Sequence, residues 1–570
     1  MASLHRCVAT LAGVTLTFAL AGCSSVHYRK SADKEVYQIL KEKQTSTLGK
    51  TNAINIDTPY SPRDPQKIQS DEILQDRLGS GRRKLTLDDA LKIAIESSRN
   101  YQFRKESLYL TALTLTHDRY DYRPKFFGSV SATRARTSAG DQTGEVQSTV
   151  GVTQALKSGA SLGLSIANDL LRYYTGDPRR SAVSTISANL AQPLLRGAGV
   201  EIAAENLKQS ERNVIYEIRS FSRFQDTFAL DIISTYYRLL QQKDTVRNEY
   251  NNYTNLVAAV ARVKDLSVDR LAAFQVDQAN QDELSAKNRY ILAVQNFQTQ
   301  LDQFKTTLSL PLGVELALDD AALTDLTSAG LMPVNSTEAE SFETAVKHRL
   351  DLLNEIDRFE DARRKIKVAA NQLKPRLNLV ANASLPSRGP TDYAHFNLND
   401  YQASAGLELN LPFDRLSERN NYRASLINFE RELRTLALTL DGVRSDVRQG
   451  LRLLGQARQS YQIQRNASEL ATKRVDSANT LLQAGRAQVR DLLEAQTAQV
   501  LARNAVTQSL VDYHVARLRL LIDLGILDTG AERFWLKPPP GTPKAEVPSA
   551  AEPAAPMPEE VIPPDELFGK

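Results

Sequence analysis

The sequence predicts a mainly α chain with a β-barrel part: a duplicated long-helix coiled-coil body joined to a smaller set of strands. Three observations carry this. No proline occurs between Pro193 and Pro311 or between Pro412 and Pro538, gaps of about 117 and 125 residues, and proline is the residue that breaks helix interiors. Apolar residues between Leu426 and Leu454 recur at steps of three and four, the spacing of a helical seam. The segments ahead of each proline-free stretch alternate apolar with polar residues, which suits a strand with one dry and one wet face.

The chain opens with what reads as a removable address, residues 1–22. Met1 to Arg6 is short and carries a positive charge at Arg6. Val8 to Leu20 is uncharged and apolar, too short to span a bilayer but suited to a signal-peptide core. Leu20-Ala21-Gly22-Cys23 follows and looks like a bacterial lipobox, in which small residues admit the peptidase and the Cys23 thiol takes the lipid. The alternative is an ordinary secretory leader with an incidental cysteine. The only other cysteine is Cys7, inside the leader. A mature chain with one cysteine forms no internal disulfide, which leaves lipidation as the natural role of Cys23. Ser24 follows it, not the aspartate of an inner-membrane retention signal, so the anchor is expected in the outer membrane.

The rest of the chain is polar. Mean hydropathy is -0.37, and no later segment has the long uncharged run of a transmembrane helix. Any membrane crossing therefore has to be a β-barrel, whose alternating signal is weak. The net charge of +4 over 570 residues is no basic field of the kind that binds nucleic acid.

Residues 23–84 are polar and mixed, a tether with some packing onto the body. Residues 85–330 and 331–530 then read as two repeats of one order: helix, strands, long helix, long helix. Leu87 to Tyr122 ends at Pro124, and Phe342 to Leu373 ends at Pro375, the first about one turn longer. Ala279-Asn280-Gln281-Asp282-Glu283-Leu284-Ser285-Ala286-Lys287-Asn288 parallels Ala495-Gln496-Thr497-Ala498-Gln499-Val500-Leu501-Ala502-Arg503-Asn504, and in that register Arg270 falls on Arg486. A glycine-containing break near the middle of each proline-free stretch would give helices of roughly 60 residues, each roughly 90 Å long. Leu426, Phe429, Leu433, Leu436, Leu440, Val443, Val447, Leu451 and Leu454 form the seam, interrupted by Gly442, Gly450 and Gly455.

In the second repeat, Leu377 to Leu385 and Tyr401 to Phe413 alternate cleanly, with Pro386 to Asn397 between them as an outward loop. The first repeat offers Lys125 to Ala135, Gln147 to Leu156, Ala160 to Ala167 and Thr185 to Gln192, the inner pair joined at Lys157-Ser158-Gly159. It therefore has four candidate strands where the second has two. Residues 531–570 close the chain. From Lys537 onward they are rich in Pro, Ala and Glu, a composition that builds no core, and the segment is expected to be a disordered tail.

Four motifs in this order resemble the outer-membrane efflux protein (TolC) family: Leu85-Thr86-Leu87-Asp88-Asp89-Ala90-Leu91, Gln192-Pro193-Leu194-Leu195-Arg196-Gly197, Leu411-Pro412-Phe413-Asp414-Arg415, and Ala484-Gly485-Arg486 with Asp491-Leu492-Leu493-Glu494-Ala495. The resemblance runs from about Leu85 to Leu527. It implies a homotrimer in which strands of three copies close one outer-membrane barrel and the long helices form a periplasmic tunnel. It further implies a periplasmic adaptor (membrane fusion) protein at the helix tips and an inner-membrane pump. The implied activity is export of small molecules, with type I protein secretion as the alternative. The family's usual two strands per half makes about twelve per trimer. The extra hairpin is expected to project outward; joined to the barrel, it would raise the number to eighteen.

At the tips the resemblance assigns Gly485 to the turn. It places Asp491 and Glu494 at the periplasmic entrance, where threefold symmetry would gather like charges that repel and attract cations. The alternative is a solvated helix face. In the first half Asp269 stands where the repeat predicts glycine, and Asp277 is the nearest acidic candidate. Arg486 and Arg490, with Arg270 in the first half, are candidates for tip ion pairs or adaptor contacts. No cofactor is expected beyond the lipid on Cys23, and no metal site. His27, His117, His348, His395 and His514 are scattered, and Gly79-Ser80-Gly81 lacks phosphate-loop spacing, so no catalytic constellation emerges. A lipid-tethered structural coiled coil is the remaining rival; the alternating strands and the duplicated order argue against it.

Overall fold

A computed structural model describes residues 25–51, 53–138, 140–175, 180–266 and 273–537. The leader, Cys23, Asp269, Arg270 and residues 538–570 lie outside the described residues. The elements in chain order are α1 (Ser25–Leu48), α2 (Ser70–Arg77), β1 (Gly81–Leu85), α3 (Leu87–Ser97), α4 (Arg99–Tyr120), β2 (Lys125–Arg136), β3 (Gln142–Ala155), β4 (Ser161–Tyr173), β5 (Arg180–Pro193), α5 (Val200–Ala203), α6 (Glu205–Leu266), α7 (Ala273–Thr307), β6 (Val314–Leu318), α8 (Ala321–Ala329), α9 (Glu338–His348), α10 (Leu350–Gln372), β7 (Arg376–Pro386), β8 (Gln402–Asn410), α11 (Leu416–Gln483) and α12 (Val489–Asp523).

The duplication is closer than the sequence suggests. Each repeat opens with an 11-residue helix capped by a threonine: Thr86 accepts from Asp89 N, and Thr337 accepts from Glu340 N. Each of these helices breaks, at Ser98 and at Arg349, where ψ swings to 124° and 111°. Helices of 22 and 23 residues follow. The single helices expected over Leu87 to Tyr122 and Phe342 to Leu373 are therefore two helices each, and the first set is not a turn longer.

The proline-free stretches do not divide in the middle. They hold helices of 62 and 35 residues, then 68 and 35, about 93, 52, 102 and 52 Å long. The shorter helix is completed end to end by the first-half helix of its repeat. After α7, Ser309 takes a left-handed φ of 57°, and its hydroxyl accepts from Arg99 N at 3.4 Å, at the start of α4. After α12, Gly525 takes φ +72° against the α9–α10 break; a Cβ there would lie 2.7 Å from the His348 carbonyl. Each long helix thus has a two-piece neighbour of nearly its own length.

The seam forms as the spacing requires, with Val443, Val447 and Leu454 buried against Ala345, Leu352, Tyr513, Leu520 and Leu524. Leu433 is exposed in the single chain. Of the three seam glycines, Gly450 meets Leu520, while Gly442 and Gly455 face open space. The main core lies at mid-body, where Tyr236, Phe304, Leu85 and Leu518 pack around the small parallel pair β1–β6. The N-terminal segment joins this core through Val36, Ile39 and Leu40 of α1. Residues 531–537, expected as the start of the tail, also belong to the body. Phe534 and Trp535 are buried, and the buried Arg517 guanidinium donates to the carbonyls of Trp535 and Lys537.

Candidate functional site

The strands form one antiparallel six-stranded sheet in the order β2-β3-β4-β5-β7-β8. This corrects the expected position of the extra hairpin. It does not project outward; β3 and β4 pair with each other and with β2 and β5 over nearly their full lengths. The strands from the two repeats meet at β5–β7, from Thr185↔Pro386 to Pro193↔Asn378.

The register sorts the two faces across all six strands. Directly paired residues share a face, so one row reads Phe126, Val152, Leu164, Ala188, Ala383, Ala403. The neighbouring row on the opposite face reads Lys125, Thr153, Gly163, Asn189, Asn382, Ser404. The apolar face is unpartnered: Phe126 is 83% exposed, Val150 65% and Leu407 67%. Among its apolar rows runs the polar row Ser148–Asn168–Ser184, which satisfies itself. Asn168 Nδ2 donates to Ser148 Oγ at 3.1 Å, and Ser184 Oγ donates to Asn168 Oδ1 at 2.6 Å. Successive strands run alternately from the helix end to the far end and back. Among the described residues the outer edges of β2 and β8 are unpaired.

At the end of the helix body from which the strands emerge, α6 and α10 are tied by a network of hydrogen bonds and ion pairs. Asp361 on α10 is almost fully buried. It accepts from Tyr216 at 2.6 Å, Gln209 at 2.9 Å and Arg364 at 2.7 Å, and it also pairs with Arg212. Burial raises its pKa, but these donors outweigh burial and hold it below the usual carboxylate range. Arg364 continues to Glu205 at 2.9 Å, tying the first turn of α6 to α10 where the strands emerge.

At the opposite end Gly485 makes the predicted turn. Its φ is +69°, Gly485 N donates to Leu482 O and Arg486 N donates to Leu481 O, a helix stop that favours glycine. The start of α12 is clamped. Val489 and Leu493 pack on Leu256, Val260 and Val263 of α6 and on Ala279 and Ala286 of α7, while Leu492 and Ala495 meet Ala478 of α11.

The candidate carboxylates have defined partners. Asp491 is exposed, and its Oδ2 accepts from Gln488 N at 3.0 Å, closing the first turn of α12. Glu494 pairs with Arg490 at 3.0 Å and with Arg474 of α11 at 3.9 Å. Asp277 and Arg486 are exposed. In the first repeat, burial raises the pKa of Asp282, with Arg289 lowering it and the charge of Glu494 adding to the rise. Sequence reasoning passed over Asp282 because the repeat sets it opposite Ala498, which offers no acidic counterpart.

Residues 342–525 match the family model described as outer membrane efflux protein. No curated protein matches the chain. Among solved structures, the outer membrane channel CmeC of Campylobacter jejuni superposes with a TM-score of 0.55 at 15% identity, over 77% of this chain and 85% of that one. The outer membrane protein VceC of Vibrio cholerae gives 0.55 at 13%, over 77% and 96%. The open-state outer membrane channel MtrE of Neisseria gonorrhoeae gives 0.56 at 12%, over 77% and 88%. Residues 342–525 thus carry a likeness to the outer membrane efflux protein family, and about three quarters of the chain shares the fold of these outer-membrane channels.

Proposed function

We propose that this protein is the outer-membrane channel subunit of a tripartite export system, passing small molecules from the periplasm to the exterior. The carrying observation is the sheet. One of its faces suits hydrocarbon, the other suits water, and its two edges are free. An open edge has no stable place in lipid, so the sheet needs copies of itself to close. Three copies of a six-stranded sheet make eighteen strands, and since barrel diameter grows roughly linearly with strand number, the pore is about half again as wide as a twelve-stranded one. The long helices extend the conduit by about 100 Å, a reach that suits a periplasmic tunnel.

An adaptor docking at the Gly485 tip and an inner-membrane pump complete the system in this reading, and lipid on Cys23 anchors each copy to the outer membrane. The protein acts as a conduit, not as a catalyst. The experiment pairs edge cross-linking with conductance. Cysteines placed in turn along β2 and β8 should join neighbouring copies into covalent trimers, and the purified trimer should conduct ions in planar bilayers. A well-folded trimer that never conducts, even with its tip ion pairs removed, would leave a structural coiled coil as the better reading. Cross-links confined to within one copy would remove the eighteen-stranded closure.

A further inference from the structure

Beyond the apolar rows, at the end of the sheet far from the helices, the outward face turns basic. The last rows there place Arg134, Gly144, Arg172 and Arg180 side by side on β2 to β5. Strands lie about 4.8 Å apart, so these three arginines fall within about 14 Å of one another along the rim. Arg136 lies on the same face two residues beyond Arg134.

The cluster is built around an aromatic ring. Tyr174 lies over Gly144, between the two flanking arginines: its ring centroid is 5.8 Å from Arg134 Cζ and 5.2 Å from Arg172 Cζ. A Cβ at position 144 would come within 2.8 Å of Tyr174 Cε2, so glycine is what lets the ring seat there. Arg134 is further held by donating to Gln142 Oε1 at 2.9 Å. Stacking on a ring orients a guanidinium plane and leaves its edge free for bidentate bonds. The carboxylates of the same strand ends, Glu145 and Asp169, alternate onto the opposite face.

The height of the cluster suits a headgroup. From Leu162 to Arg172 is ten residues along β4, about 34 Å of strand. At a tilt of about 40° this rises about 26 Å, close to the roughly 25 Å apolar band of an outer-membrane barrel. Leu170 and Val146 lie directly beneath, then the self-satisfied Ser148–Asn168–Ser184 row, then Ile166 and Val150. A lipid with its phosphate on the arginines would lay its chains along this surface.

We propose that Arg134, Arg172 and Arg180, organised by Tyr174, form a binding site for a phosphorylated lipid headgroup of the outer leaflet, one site per subunit. The proposal rests on the channel reading, which sets this end of the sheet at the outer surface. Guanidinium pairs recognise phosphate bidentately, and a headgroup with two phosphates spans such a cluster better than a headgroup with one.

The test uses the full-length trimer in micelles of an uncharged, phosphate-free maltoside detergent containing diphosphorylated lipid A, monophosphorylated lipid A, or neither. Bound lipid is counted by native mass spectrometry. The wild type should retain the diphosphorylated lipid preferentially. The triple variant Arg134→Gln, Arg172→Gln, Arg180→Gln should lose it by about tenfold or more, and Tyr174→Leu should weaken it with all charges kept. Retention by the triple variant equal to wild type, or retention indifferent to phosphate number, would overturn the site. Displacement of the lipid by inorganic phosphate alone at equal concentration would overturn its assignment to lipid. Conductance of the same preparations is read separately. Wild type and triple variant conducting alike while neither prefers phosphorylated lipid defeats this inference and leaves the channel standing; phosphate-dependent retention without conductance supports the site and counts against the channel.

Discussion

Asp226 gives the sharpest test of how the body is balanced. It sits on α6 near the Lys50–Asp528 ion pair, which closes at 3.1 Å, and it accepts from Thr529 Oγ1 at 2.9 Å. Burial pushes its pKa up to about 6, against the lowering effects of the Thr529 hydrogen bond, Lys50 and Arg223. The folded pKa therefore lies above the unfolded value of 3.8. A group shifted this way supports folding fully below the unfolded pKa, and that support is lost as pH rises through the folded pKa. Replacing it by asparagine removes the charge and keeps an acceptor for Thr529. At pH 7.5 Asp226→Asn should stabilise the body by about 3 kcal/mol, from a shift of roughly two units at about 1.4 kcal/mol each. At pH 4.5 the same substitution should gain only about 1 kcal/mol. The assay is helical melting by circular dichroism of both proteins at the two pH values, reading the difference between them so that other groups cancel. An asparagine variant no more stable than wild type at pH 7.5, or a gain that does not shrink on acidification, would refute burial as the controlling effect.

Other substitutions test the joints and the tip. Gly525→Ala forces a side chain onto the His348 and Arg349 backbone at 2.7 to 2.9 Å in a left-handed conformation, and should cost about 2–4 kcal/mol in melting experiments; a neutral result would mean that the two-piece helix joint yields easily. Arg349→Ala strips the partner from Asp351 at 3.0 Å and from Asp446 at 2.8 Å; because both carboxylates keep contact with water, the loss should be about 1–3 kcal/mol, below that of a fully buried pair, and denaturant titration measures it. Asp491→Ala with Glu494→Ala should lower cation preference in planar-bilayer conductance if these carboxylates face the entrance, and should also cost about 1 kcal/mol of helix start through the lost Gln488 cap. Unchanged selectivity with the stability loss would place them on the outer face.

The body was legible because helix formation over 60 residues is written in what is absent as well as in what recurs. Proline is missing from both long stretches, and the Leu426 to Leu454 spacing meets its partners where it should. The position of the helix breaks was not legible. Ser98 and Arg349 have no breaker signature; what stops the helix there is the arrival of α7 and α12 from far along the chain, bringing Ser309 and Gly525 against the start of the next helix. A tertiary contact of that kind leaves no local mark. The same limit applies at the tip. Gly485 was readable as a turn because a positive φ selects glycine, whereas the burial that raises the pKa of Asp282 depends on how α7 packs in the body.

The extra hairpin shows how a sheet can grow without disturbing the body that carries it. The helical parts of the two repeats match closely, 11, 22, 62 and 35 residues against 11, 23, 68 and 35, yet the first repeat supplies four strands and the second two. Insertion of two antiparallel strands returns the chain to the side from which it left, so β2 still begins and β5 still ends at the helices. The added turn at Lys157 to Gly159 lies on that side, where Gly199 N donates to Ser158 O at 3.2 Å, against the lead-in to α5. Alternation alone could not decide between a projecting hairpin and a wall, since both show period two. Register decides it: Phe126 through Ala403 form one unbroken row, and a slip of one residue at any pair would put apolar side chains on the polar face. With every pair in phase, the inserted strands add to the width of the sheet while the helices beneath keep the geometry of a duplicated unit.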